Sequence, residues 1–75
     1  MRIRTMAVNY FLLEYHVNSM VRELMEQRGV SYESAMQMVL NSRTYAKLQQ
    51  EEWLLEEGPL YVYGLLEKEL DEVAV

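Results

Sequence analysis

Apolar residues recur at alternating spacings of four and three positions from about Thr5 to Arg28. This spacing predicts one continuous amphipathic helix, because residues three and four positions apart share a helix face. Arg28 and Gly29 supply the basic charge and the stop signal expected at a helix C-terminus. The apolar stripe comprises Met6, Tyr10, Leu13, Val17, Met20 and Leu24. A helix of about 24 residues is about 36 Å long, against about 30 Å for a compact domain of this size, so we expect it to bend or to project toward a partner.

The rest of this segment divides into a wider apolar face and a polar face. The apolar residues beside the stripe are Phe11, Leu12, Val21 and Met25, and the polar residues opposite are Glu14, Asn18, Arg22 and Glu26. We therefore expect the stripe to be covered, either by the rest of the chain or by another chain.

A second helix is predicted from Tyr32 to Leu40. Ser31 is a suitable N-cap, because its hydroxyl can accept a hydrogen bond from an amide of the first turn, and Glu33 complements the helix dipole. Asn41 and Ser42 then offer local hydrogen bonds that end one helix and begin another.

A third, shorter helix is predicted from about Arg43, with Tyr45 and Leu48 on a shared face. For the acidic segment 49–57 that follows, the sequence does not decide between a helix and a loop. Its glutamates four positions apart would repel each other on a helix, and acidic residues disfavour a helix C-terminus.

The last helix is predicted from Pro59 to about Asp71. Gly58 and Pro59 match the N-cap and the first helical position, where no amide donor is needed. Its predicted buried stripe is Val62, Leu66, Leu70 and Val73, with Tyr63 and Leu65 beside it. Its predicted solvated rim is Glu67, Lys68, Glu69, Asp71 and Glu72. No segment alternates like a strand, so we predict an all-α fold, a small bundle of about three to four helices with a long N-terminal amphipathic helix.

From its length and composition we expect a single helical domain covering residues 1–75. Its 75 residues suit one small domain, and without cysteine it has no disulfide or thiolate, so we expect packing or association to stabilise its core. It contains no signal-peptide pattern and no run of about eighteen apolar residues. We therefore expect a soluble, cytoplasmic protein.

Charge is distributed unevenly along the chain. The net charge of -5 and the pI near 4.7 have the wrong sign for binding the phosphates of a nucleic acid. Residues 51–75 carry eight acidic side chains and one basic side chain, Lys68, whereas residues 1–50 carry a small basic excess. The acidic part is expected to face a basic partner or the basic end of a second copy.

Candidate chemistry is sparse. His16 is the single histidine, and no residue three or four positions away can share a metal with it, so we predict a histidine at the edge of the core. The acidic cluster around Trp53 consists of Glu51, Glu52, Glu56 and Glu57. Paired carboxylates do acid/base work only in a cleft, and a chain of this size has little volume for one. We predict no catalytic, cofactor-binding or metal-binding residue, and a small metal-dependent hydrolase is the last of our alternatives.

Aromatic residues are numerous for so short a chain, with six tyrosines, one tryptophan and one phenylalanine. Tyr10 and Tyr63 lie on apolar stripes and are expected in the core or at its edge. Tyr61 and Tyr63 flank Val62 and cannot face the same side of a helix, so some rings must be exposed or lie at an interface, where Tyr and Trp are favoured. The predicted interface residues are Tyr10, Leu13, Val17, Met20, Leu24, Trp53, Tyr61 and Tyr63.

Three short motifs follow one another along the chain. They are Gly29-Val30-Ser31 with Ala35, Ser42-x-Thr44-Tyr45-x-x-Leu48, and Pro59-x-Tyr61-Val62-Tyr63 followed by Leu66 and Glu69. In this order, from about Tyr10 to Glu69, the chain resembles a group of small uncharacterised bacterial helical proteins, a domain of unknown function sometimes encoded near toxin-antitoxin-like genes. The resemblance implies a bacterial cytoplasmic protein with a protein partner and brings no catalytic residues. The sequence lacks the basic DNA-reading segment that many antitoxins carry.

We therefore predict a non-enzymatic protein-protein interaction module that homodimerises through the stripe of the N-terminal helix. The alternative is an acidic, antitoxin-like neutraliser of a basic protein partner. Neither function calls for a cofactor, a nucleic acid or a membrane.

Overall fold

The computed structural model describes residues 9–73, except the side chain of Val73, and this range contains five helices. They are α1 (Tyr10–Arg28), α2 (Tyr32–Leu40), α3 (Arg43–Gln50), α4 (Glu52–Leu55) and α5 (Pro59–Val73). The same range contains no strand, so the predicted all-α class is confirmed. The N-terminal helix is long, with 19 residues. These residues form one helix more than the three to four predicted, because α4 is a separate short element.

Helix α1 begins at Tyr10 rather than near Thr5. Asn9 has an extended backbone, and its side-chain oxygen accepts a 3.1 Å hydrogen bond from the amide of Leu12, so it caps the helix. The apolar spacing continues on the N-terminal side of Asn9, so it does not indicate that the helix begins at Tyr10. Met6, the first residue of the predicted stripe, lies outside the described residues.

Local capping signals set the next helix boundaries as predicted. Gly29 ends α1 in the left-handed conformation, with a φ of 67°. The hydroxyls of Ser31 and Ser42 accept hydrogen bonds from the amides of Ser34 and Tyr45, and they begin α2 and α3 at the predicted residues. Each cap involves only residues about three positions apart, which explains why the sequence alone reveals it.

The segment that the sequence left open folds as the end of α3, a bend and the short α4. The bend lies at Glu51, whose extended backbone interrupts the helix, and Leu54 and Leu55 of α4 are buried. Helix α5 begins at Pro59 as predicted, and its first turn closes on the carbonyl of Gly58 at 3.2 Å.

The two long helices run in the same direction. In the first half of α1, His16 contacts the carbonyl of Leu55, just before α5, at 3.0 Å. At the end of α1, Arg28 pairs with Asp71, near the end of α5, at 3.1 Å. Helix α1 also packs against α2, so most of its apolar stripe is covered within the chain itself.

The core lies where these helices meet. Its buried apolar residues are Leu13, Met20, Val21, Leu24, Ala35, Val39, Leu48, Leu54, Leu55, Val62, Tyr63 and Leu66. Tyr63 is buried as expected, whereas Tyr10, expected in the core or at its edge, is 73% exposed. Phe11 and Met25, expected to widen the stripe, are also exposed. Periodicity places these residues near the apolar face but does not show where the covering helices end.

Candidate interaction surfaces

The structure divides the predicted interface residues between core and surface. Met20 and Leu24 are 0% exposed and Tyr63 is buried, so a second chain cannot contact them in this fold. Periodicity identifies a face that must be covered but not the chain that covers it, and here the rest of the chain does so. Trp53 and Tyr61, by contrast, are about half exposed.

The other predicted interface residues line an open apolar groove between the first half of α1, the end of α2 and α3. This groove, with a volume of about 250 Å³, is lined by Tyr10, Leu13, Glu14, Val17, Leu40 and Tyr45. Leu13 is buried and Val17 half-buried, whereas Tyr10 and Leu40 are exposed. This surface, called the groove below, keeps part of the predicted stripe open to solvent.

A second exposed apolar surface lies at the start of α1 and around the turn between α4 and α5. We call it the aromatic edge, and it comprises Phe11, Tyr15, Trp53, Leu60 and Tyr61. Phe11 and Tyr15 are one turn apart on the solvent side of α1, and the other three lie on α4 and the first turn of α5. Single exposed apolar residues are ordinary, but five on adjoining elements mark a candidate binding surface.

His16 connects the two halves of the aromatic edge. Its side chain is 1% exposed, so it lies in the core and not at the predicted edge. Nε2 carries the proton and donates to the carbonyl of Leu55 at 3.0 Å, because a carbonyl oxygen only accepts. The ring of Tyr15 meets the imidazole edge-on, with ring centres 5.5 Å apart. The sequence could not reveal this bond, because its acceptor is a backbone atom 39 positions away.

Four glutamates surround the part of the aromatic edge that carries Trp53. They are Glu51, Glu52, Glu56 and Glu57, and all are exposed. Glu51 accepts a 3.2 Å hydrogen bond from Nε1 of Trp53. Within residues 9–73 none of the four forms an ion pair, so their charge faces solvent or a partner.

Acidic residues near the end of α5 lie opposite basic ones instead. Asp71 pairs with Arg28 at 3.1 Å, and Glu72 pairs with Arg43 at 3.3 Å. Exposed pairs of this kind contribute about 0 to 1 kcal/mol each. Because these two pairs place a basic group beside Asp71 and Glu72, the remaining acidic excess of residues 51–75 lies mainly around α4.

Glu69 departs from the predicted solvated rim, because its side chain is only 12% exposed. Its Oε2 accepts from the amide of Arg43 at 2.7 Å, and its Oε1 accepts from the amide and the hydroxyl of Thr44 at 3.0 Å and 2.9 Å. Burial raises the pKa of Glu69, but these hydrogen bonds and the Arg43 charge outweigh it, so the pKa lies below its ordinary value. Glu69 thus caps α3 from another helix.

Two buried polar atoms have no hydrogen-bond partner among the described residues, Nδ1 of His16 and the hydroxyl of Tyr63. Burial raises the pKa of Tyr63, and the guanidinium of Arg28 offsets part of that rise.

The described part of the chain brings no three acidic or histidine side chains together in a way that could hold a metal ion.

No protein-family model matches this chain, and comparisons with curated proteins and with solved structures found no significant similarity. Among the helices of residues 9–73, none combines the length and the apolar character needed to cross a bilayer. The resemblance to small bacterial helical proteins stays a prediction, as does a bacterial, cytoplasmic origin.

Proposed function

We propose that this protein is a non-enzymatic protein-protein interaction module that homodimerises through the groove. The observation that carries the proposal is Tyr10, 73% exposed at the side of an apolar groove that Leu13 and Val17 also line. A two-fold interface needs a surface that is complementary to itself. A projecting aromatic ring beside a groove meets that need, because the Tyr10 ring of each copy can enter the groove of the other.

In this arrangement, folding and association use different parts of the predicted stripe. Met20 and Leu24 are fully buried and stabilise each chain, whereas Tyr10 of the stripe, together with Leu40 of α2, remains exposed for a second copy. A domain of this size without disulfides has a small core, and burying a further apolar surface by association adds stability.

Sedimentation velocity between about 10 μM and about 1 mM tests the dimer, a range suited to interfaces of modest size. We expect the wild type to dimerise and Tyr10→Lys and Leu40→Lys to remain monomeric, since a lysine at either position would be desolvated in the interface. Both positions are exposed, so both variants are expected to stay folded. Tyr32→Lys is the matched control, because Tyr32 is 55% exposed at the start of α2, away from the groove.

Two results would contradict the proposal. One is a wild-type chain that stays monomeric over the whole concentration range. The other is a dimer that Tyr10→Lys and Leu40→Lys leave intact, because such a dimer would not use the groove.

A second candidate function is an acidic neutraliser that binds a basic protein. It is supported by the four glutamates around α4, which form no ion pair within residues 9–73. Attraction between these carboxylates and lysine or arginine weakens as salt screens the charges. Binding of a basic protein is therefore expected to weaken with rising ionic strength. Binding that does not respond to salt would contradict this candidate.

A further inference from the structure

The aromatic edge exposes more apolar surface than folding explains. Phe11 is 82% exposed and Leu60 is 71% exposed, and Trp53 is half exposed. The hydrogen bond between His16 and Leu55 holds α1 against the end of α4, so these side chains lie on elements that are fixed to one another. Exposed aromatic residues on a fixed scaffold are the usual anchors of protein interfaces.

Within residues 9–73, the charged side chains of α4 and of the turn after it are all acidic. Four exposed glutamates lie within residues 51–57, and no basic residue occurs between 48 and 67. Lys47, near the end of α3, lines a different groove together with Lys68 and Glu69. Along the described parts of α1 and α5 the nearest basic residues are Arg22 and Lys68, seven positions beyond Tyr15 and Tyr61. Seven residues of helix span about 10 Å, which exceeds the screening length of about 8 Å at physiological salt. Within residues 9–73, the surface is therefore apolar with an acidic border.

This border selects among possible occupants. A second copy bound by the same surface across a two-fold axis would bring the glutamates of both copies together, which is unfavourable. Nucleic acid and anionic lipid carry the same sign of charge and are repelled as well. A protein segment with basic residues beside an apolar face matches both the aromatic side chains and the glutamates.

We propose that the aromatic edge binds an amphipathic segment of another protein, with apolar side chains against Trp53 and Leu60 and with lysine or arginine side chains against the neighbouring glutamates. This inference deepens the second candidate function and rests on it. It is independent of the groove, because none of the five residues of the aromatic edge lines the groove.

Fluorescence of Trp53, the only tryptophan in the chain, reports directly on this surface. The probe is a tryptophan-free peptide of about 14 residues made of Leu and Lys at amphipathic helical spacing. We expect saturable binding with a blue shift of the Trp53 emission, and an affinity at least about tenfold weaker at about 500 mM than at about 20 mM NaCl. The same pattern with Glu in place of Lys is expected not to bind.

A pair of double variants tests the role of the glutamates without touching the reporter. Glu56→Gln/Glu57→Gln removes charge beside Trp53, and Glu26→Gln/Glu33→Gln removes the same charge from α1 and α2 elsewhere. All four residues are exposed, so both variants should fold. We expect the first variant to bind the Leu/Lys peptide about fivefold more weakly and the second to bind it like the wild type, since two border charges contribute about 1 kcal/mol together.

Several results would overturn the inference. Equal binding of the Lys and Glu peptides would show an apolar surface without charge selection, and equal weakening in both double variants would show attraction to net charge alone. Binding of neutral phosphatidylcholine vesicles in place of the peptide would assign the surface to a membrane. Failure of the peptide to bind would remove this inference and leave the dimer of the groove untouched, because sedimentation tests that dimer separately.

Discussion

Glu69 on α5 caps the N-terminus of α3 by accepting hydrogen bonds from both the amide and the hydroxyl of Thr44, at 3.0 Å and 2.9 Å. The amide of Arg43 donates to the same carboxylate, and the amide of Tyr45 donates to Ser42. The backbone amides in the first turn of a helix have no acceptor within the helix. In α3, Ser42 and the distant Glu69 together accept from them. This contact joins α3 to α5.

Replacing Glu69 should destabilise the fold. We expect Glu69→Ala to lower the free energy of unfolding by about 2 to 3 kcal/mol, because part-buried amides lose a charged acceptor. Glu69→Gln should cost about 1 kcal/mol, since its carbonyl oxygen can still accept from Thr44. Urea unfolding followed by circular dichroism measures both, with exposed Glu67→Ala as the control near zero. A Glu69→Ala variant as stable as this control would remove the capping role.

The same carboxylate predicts a pH dependence. Because the pKa of Glu69 in the folded protein lies below its ordinary value of 4.5, its stabilising contribution is complete above that value and is lost as the pH falls below it. The wild type should therefore lose more stability than Glu69→Gln between about pH 5 and about pH 3, as followed by urea midpoints. Parallel pH profiles for the two proteins would contradict this.

Two glycine substitutions should have opposite signs. Gly29 has a φ of 67°, where a side chain is strained even though the space that a Cβ would occupy is open, so Gly29→Ala should cost about 1 to 2 kcal/mol. Gly64 lies inside α5 with open space around it, so Gly64→Ala should stabilise by about 0.5 to 1 kcal/mol. Thermal unfolding midpoints compare the two. A stabilising Gly29→Ala would show that α1 does not end in this left-handed turn.

Removing the imidazole of His16 should loosen the contact between α1 and α4. His16→Ala leaves a cavity and an unbonded carbonyl at Leu55, and we expect a loss of about 2 to 4 kcal/mol in unfolding free energy. His16→Gln offers a replacement amide donor and should lose less. Chemical denaturation quantifies both, and hydrogen exchange of the α4 amides should quicken in His16→Ala. Unchanged exchange there would mean that the histidine does not hold α4.

The helix boundaries that depend on neighbouring residues were predictable. Ser31, Ser42 and Gly58 act within about one turn of their own positions, and α2, α3 and α5 begin where these residues indicate. The predicted start of α1 was wrong because the apolar periodicity continues past Asn9, although asparagine is itself a capping signal. The break at Glu51 was not predictable, because the glutamates of segment 49–57 disfavour a helix without indicating which other structure forms.

The interface residues were predictable only as a set of apolar and aromatic side chains. Met20, Leu13 and Tyr10 share one stripe, yet the first is in the core, the second borders the groove and the third is exposed. Their different exposure depends on where α2 and α3 pack against α1, and the spacing of apolar residues along α1 carries no information about that. The role of Glu69 was missed for the same reason, since its partners lie 25 and 26 positions away.

Short-range chemistry in the chain is sufficient to specify an all-helical fold, most of its caps and an acidic C-terminal part, because hydrogen bonds and periodic burial within a helix involve residues a few positions apart. Packing decided the rest. It placed His16 and Glu69 in hydrogen bonds with distant segments, set Asp71 and Glu72 opposite arginines, and left the aromatic edge exposed beside the glutamates around α4. These outcomes depend on contacts between distant segments, and only the assembled helices bring those segments together.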